Sequence, residues 1–187
     1  MKSTERRMTE TAQGQDAFTN AVAGDRTAFA ELVRKHQAMV FSIALHSLRD
    51  RALAEELAQE VFLDFFNHLR DLQSTAHAEF WLRKVTTRRC IDYVRRRKRQ
   101  ISIALDDAPE LSSPPVDADP FLGETLRKLT ASLPERARMV VLLRYQEDLA
   151  PAEIAETMDI PLNSVKSCLH RALAMLREKL ERSQVRR

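Results

Sequence analysis

The segment Phe80–Arg99 (FWLRKVTTRRCIDYVRRRKR) carries nine basic residues from Arg83 to Arg99 against Asp92 alone, a net of +8. Neutralising phosphates is the chemistry such a run performs best. Placed on one helix, Leu82, Val85, Thr86 and Tyr93 share an inward face, while Trp81, Lys84, Arg88, Ile91 and Arg95 follow one another at i+3 or i+4 along a second face. An exposed indole beside cations is a platform on which an unpaired base stacks for about 1–3 kcal/mol, the way proteins hold single-stranded nucleic acid. The same run is also the ordinary solvated face of a helix, and a rotation of about 40° makes Trp81 a core residue.

A second constellation lies in Leu149–Leu180, which reads as helix, turn, helix. Pro151 suits a first helical turn, Met158-Asp159-Ile160-Pro161 breaks the helix, and Asn163 caps a second one with Val165, Leu169, Ala172 and Leu176 inward. The residues left outside are Ser164, Lys166, Ser167, His170, Arg171 and Ala174. A helix-turn-helix inserts the N-terminal residues of its second helix into the major groove, where Lys166 and Arg171 reach guanines or phosphates and Ser167 and His170 read base edges more loosely. Helical hairpins without DNA-binding activity share this pattern.

Ala52–Leu69 differs in sign. Glu55, Glu56, Gln59, Glu60 and Asp64 flank an apolar stripe of Leu53, Leu57, Val61, Phe65 and Leu69 at strict i, i+4, with Phe62 and Phe66 beside it. An acidic, Gln-containing face next to exposed Phe docks a basic partner helix through charge complementarity, although an ordinary solvated face has the same look.

No catalytic set emerges. There is no Gly-rich phosphate loop, no GxSxG and no HExxH, and His36, His46, His68, His77 and His170 fall at no metal-ligand or relay spacing. Cys90 and Cys168 stand 78 residues apart without a CxxC, which fits reduced, structural thiols. No catalytic residue, metal or cofactor is expected.

Helices must position these residues. The 187 residues contain only 3 Gly and 11 aromatics at 44% hydrophobic content, which disfavours sandwiches, barrels and Rossmann sheets. Between Ile101 and Thr125 lie six acidic residues, no basic one and four of the seven prolines, the composition of an extended linker. The expectation is an all-α chain of two small helical domains, an N-terminal bundle and a C-terminal helix-turn-helix. Its parts are a disordered stretch 1–15, a bundle 16–99, an acidic Pro-rich linker 100–121, a helix-turn-helix domain 122–182 and a tail 183–187. Domains joined in this way need not touch. No apolar run is long enough to span a membrane and the first 16 residues lack a signal-peptide core, so a cytoplasmic location is expected.

With these motifs in place, the sequence resembles a bacterial sigma-70-family RNA polymerase sigma factor of the two-domain extracytoplasmic-function type. AEELAQEVFLDFF (54–66) is similar to the core-polymerase-binding helix of region 2, Phe80–Arg99 to its promoter-melting helix, and residues 133–180 to region 4, which reads the −35 element. The resemblance implies a non-enzymatic subunit whose partners are core RNA polymerase, promoter DNA and an anti-sigma factor, the last a membrane-bound protein in some relatives. Carried over residue by residue, −35 reading falls on Ser164, Lys166, Ser167, His170 and Arg171. Melting and −10 reading fall on Trp81, Lys84, Arg88 and Arg95, and a base-capturing loop on Gln73–Glu79, with Gln73, Ser74 and Thr75 foremost. Polymerase binding falls on Glu56, Gln59, Glu60, Phe62 and Asp64, and the acidic linker matches the segment that threads polymerase channels. Asp148, Asp159 and Asn163 stand where glycine is common in the family, and Asp and Asn tolerate the left-handed conformation. Cys168 stands where an arginine is common, which implies one DNA contact fewer. The alternative is a helix-turn-helix transcription regulator with a helical sensory or dimerising domain.

Overall fold

The structure is a computed structural model describing residues 16–103 and 129–185. Every regular element among these residues is helical. The first 15 residues and most of the acidic stretch lie outside the described residues.

Helix α1 (residues 16–22) buries Phe18 and Ala21 and ends at Gly24, whose φ of 102° turns the chain into α2 (Arg26–Leu48). Asp25 caps α2, its carboxylate accepting from the backbone N–H of Thr27 at 2.7 Å and of Ala28 at 3.2 Å. Arg49, in the left-handed region, closes α2 with its N–H on the Leu45 carbonyl, and Asp50 caps α3 (Arg51–His68). After a 3-10 turn at Leu69–Asp71, Ser74 caps α4 (Thr75–Ile103) by accepting from the His77 N–H. Phe65, Leu32, Ile43, Leu82, Val40 and Val61 are fully enclosed where α2, α3 and α4 meet, as the i, i+4 stripe requires.

His36 is a core residue. It is 3% exposed among these apolar side chains and its Nε2 has no hydrogen-bond partner. Burial holds its pKa below the ordinary histidine value, so the imidazole is neutral in the folded protein. A lowered folded-state pKa means that the unfolded chain takes up more protons, so stability is lost as pH falls below about 6.5. His36→Leu should remove that term. In urea titrations its stability advantage over the parent should widen between about pH 7 and 5, whereas a constant difference would contradict neutral burial.

The C-terminal half consists of α5 (Glu135–Tyr145), α6 (Pro151–Met158) and α7 (Leu162–Val185). Ala137 and every residue from Met139 to Leu143 are buried in α5. A helix buried all round has neighbours on both sides. One side of α5 packs on α6 and α7; the other meets α2 and α4 of the N-terminal bundle. Arg138 reaches the Ser47 carbonyl at 3.5 Å, and Ser47 also bonds the buried Cys90 thiol. Glu147, in the loop after α5, sits near Arg83, Glu79 and His46, and burial raises its pKa. The two halves therefore touch, through α5 on α2 and α4 and through α6 on α4, although the linker is long enough to let them stand apart. The boundaries also shift: α4 continues through Ile103 into the stretch assigned to the linker, and α7 continues to Val185 into the assigned tail.

Two of the three Asp/Asn positions do take the left-handed conformation, Asp148 at φ 50° and Asp159 at φ 52°. The third, Asn163, lies inside the first turn of α7 and is not its cap; the carbonyl of Pro161 accepts from the N–H groups of Ser164 and Val165.

Candidate nucleic-acid interface

On the α4 stripe Arg88 and Arg95 are exposed, Lys84 is half-buried, and Trp81 and Ile91 are half-buried against the core. Ala78, Leu82 and Thr86 turn into the bundle, Thr87 and Cys90 are fully enclosed, and the Arg88 side chain is 83% exposed. Arg95 is exposed, and Lys84 lies over the Phe80 ring at 5.8 Å. Asp92 is 4.0 Å from Arg88, an exposed contact that leaves the cationic surface largely uncompensated.

Trp81 stands at the edge of this stripe. Its indole is half-buried, 6.0 Å from the Phe65 ring and 5.6 Å from the His68 ring, centroid to centroid. It is thus neither the free platform of one reading nor the core residue of the other: one side packs on α3 while the ring keeps partial exposure. The segment Gln73–Glu79 is not a loop over its whole length, because Thr75 to Glu79 already belong to α4. Gln73 is exposed, its N–H donating to His77 Nδ1, and Ser74 is committed to the helix cap.

The second helix of the C-terminal hairpin presents Lys166, Ser167, His170 and Arg171 to solvent, with Ser164 half-buried beside them. Val165, Cys168 and Ala172 face inward. Cys168, at 9% exposure, packs inward with them. The Ser167 hydroxyl donates to the Ser164 carbonyl at 3.1 Å, and Arg171 Nε donates to the Ser167 carbonyl at 3.2 Å, which lays the guanidinium along the helix.

The acidic residues of α3 divide between two flanks. Glu60 and Asp64 both pair with Arg89 of α4. Glu56 and Gln59 are exposed and Phe62 is half-buried; Gln59 and Phe62, with Phe66, Leu63, Phe29 and Phe41, line an apolar groove of about 830 Å³ between α2 and α3. Phe66 is 58% and Leu63 65% exposed. The pairing with Arg89 thus sets Glu60 and Asp64 apart from Phe62, although all three lie on one helix.

Among the described residues no group of His, Cys, Asp and Glu is arranged to hold a metal. Burial pushes the Cys90 thiol up to about 12, so it is protonated and unreactive at neutral pH. Among the described residues no helix is long and apolar enough to cross a membrane.

The match to sigma-70 region 2 covers residues 32–100 and that to sigma-70 region 4 covers residues 123–176. The chain is 28% identical over 171 residues to the ECF RNA polymerase sigma factor SigW of Bacillus subtilis, covering 84% of this chain and 91% of that one. It is 33% identical over 166 residues to the ECF RNA polymerase sigma factor SigE of Mycolicibacterium smegmatis, covering 84% of this chain and 64% of that longer one. Among solved structures, the sigma factor RpoE from Bartonella quintana, in complex with the anti-sigma factor NepR, superposes with a TM-score of 0.70 at 16% identity, over 82% of this chain and 96% of that one. CnrH, in complex with the cytosolic domain of CnrY, superposes at 0.62 with 18% identity, over 89% and 96%. These two likenesses are of fold. Regions 2 and 4 in this order, on helices that expose one cationic face each, establish that the chain belongs to the sigma-70 family, as an initiation factor of the extracytoplasmic-function type that directs RNA polymerase to promoters.

Proposed function

We propose that the chain recruits core polymerase through the α2–α3 groove, reads the −35 element with the N-terminal face of α7 and opens the −10 element with the α4 stripe. The observation that carries the reading is the division of α7: Lys166, Ser167, His170 and Arg171 face solvent at the helix start, while Val165, Cys168 and Ala172 face the core. This is the disposition a recognition helix needs to enter the major groove by its first turns. On α4, Lys84, Arg88 and Arg95 hold phosphates, and Trp81, supported from behind by Phe65 and His68, offers its exposed side to a base that has left the stack.

In this reading the chain performs no chemistry of its own; it positions DNA for the polymerase. It acts in the cytoplasm, with 16–103 as the docking and opening domain, 129–185 as the −35 domain and the acidic stretch as the connection. An anti-sigma protein is its regulatory partner, as NepR is for the Bartonella quintana protein.

Lys166→Ala and Arg171→Ala test the placement of the recognition helix. Each should weaken binding of the full chain with core enzyme to a −35 duplex by about 1–3 kcal/mol if its contact is to a base. A loss equal on all sequences assigns a phosphate role. Unchanged affinity for both variants, measured by fluorescence anisotropy, would remove α7 from the groove.

A further inference from the structure

Two residues of the basic run are turned inward: Arg83 pairs with Glu79 on its own helix, and Arg89 pairs across to another helix. The Arg89 guanidinium forks across two carboxylates one turn apart on α3, one terminal nitrogen donating to Glu60 and the other to Asp64. Five other ion pairs join residues four apart on one stretch of chain, whereas this fork ties one helix to another. At 33% exposure for Arg89 and 35% for Asp64, the bridge lies at the rim of the α3–α4 seam. Eight residues before Arg89 on the same side of α4, Trp81 packs on Phe65 and His68 at the far end of that seam. Between these two ends Leu82, Thr86, Val61 and Phe65 are fully buried, with no charged group among them. A bidentate guanidinium–carboxylate fork fixes register, because both hydrogen bonds fail together when the helices slide. Glu60 and Asp64 lie on the flank of α3 opposite Phe62 and the groove, so α3 carries the polymerase-facing surface on one side and the fork on the other.

We propose that Arg89 is a positioning residue for strand opening: its fork to Glu60 and Asp64 holds α4 in register on α3, so that docking of polymerase on α3 fixes where Trp81, Lys84 and Arg88 meet DNA. The inference rests on the reading of the α4 stripe as the opening surface. It makes Arg89 act through α3, in contrast to Arg88 and Arg95, which act on DNA.

The experiment uses full-length chain with core enzyme, permanganate reactivity of −10 thymines on a duplex promoter, the same on a pre-melted bubble, and capture of core. Arg89→Ala should lower opening on the duplex about tenfold, with bubble activity and core capture held within about twofold. The pair Glu60→Gln with Asp64→Asn, which leaves Arg89 in place, should give the same defect, and combining all three changes should add nothing further. If the carboxamide pair opens like the parent, or if its loss adds to that of Arg89→Ala, Arg89 contacts phosphate and the proposal is overturned. Equal losses on duplex, bubble and core capture would overturn it too, by showing that the fork only stabilises the fold. Trp81→Ala separates the levels: normal opening in that variant removes the α4 stripe from melting, whereas a Trp81 defect with an unaffected Arg89→Ala leaves the stripe and removes the fork.

Discussion

Phe62→Asp should abolish capture of core polymerase while leaving the helical content of the chain intact. Phe62 is half-buried at the centre of an apolar groove that also presents Phe66 and Leu63, the latter two more than half exposed. Burying aromatic anchors of this kind accounts for about 2–4 kcal/mol each at protein interfaces, and a carboxylate in the same place adds an unpaired charge to be desolvated. The loss in affinity should therefore exceed about thirtyfold, measured by competition with the parent chain for core enzyme. Charge reversal at Glu60 or Asp64 is a poor probe of the same surface. Placing a cation there confronts Arg89 and disturbs α4, so promoter opening should suffer before polymerase binding does. Undiminished capture by Phe62→Asp would move the docking surface away from the groove.

Promoter binding should pull the two halves of the chain apart. In the free protein α5 packs on α2 and α4, with Arg138 on the Ser47 carbonyl. The −35 and −10 elements are separated by about 25 base pairs, roughly 85 Å along B-form DNA at 3.4 Å per pair, which a pair of touching small domains does not cover. The 25 residues from 104 to 128 reach about 80–90 Å when stretched at 3.3–3.6 Å per residue, enough to permit separation. Dyes on cysteines introduced at exposed Arg70 and Arg177 should show efficient energy transfer in the free chain and a distance increase of tens of ångströms, about half the reach of the connection or more, in the promoter complex. The closed form should also gain on acidification: burial raises the Glu147 carboxyl there, so closure takes up a proton and is favoured as pH falls. Glu147→Gln should flatten that dependence. A distance that stays short on the promoter would mean that the halves work as one body.

The helical periodicities of α2, α3, α4 and α7 were legible because each is amphipathic over several turns, and the stripe at Leu57, Val61, Phe65 and Leu69 is buried as written. The contact between the halves was legible too, in Met139–Leu143: five consecutive apolar residues in a helix require neighbours on both sides, and an acidic linker says only that separation is permitted. Arg89 was not legible. A guanidinium that pairs across 25 and 29 residues looks in sequence like any other cation of a basic run, and only the packing of α4 on α3 turns it inward. The start of α4 was missed for a local reason: Ser74 caps the helix well before the aromatic pair that draws the eye, and Gln73–Glu79 contains no proline or glycine that would have kept it a loop. His36 shows a different cause: a polar residue whose helical neighbours one turn away are buried is carried inward by its position, against its residue type.

If this chain confers promoter selectivity and opening on core polymerase, in-vitro transcription with purified components will read it out. Purified chain added to sigma-free core enzyme, with the DNA upstream of its own coding sequence as template, should give a discrete transcript, and the −10 thymines of that DNA should become permanganate-reactive only when both proteins are present. Lys166→Ala with Arg171→Ala should suppress that transcript on the intact promoter. Binding of the chain to core without a transcript from any template drawn from its own genome would contradict the account.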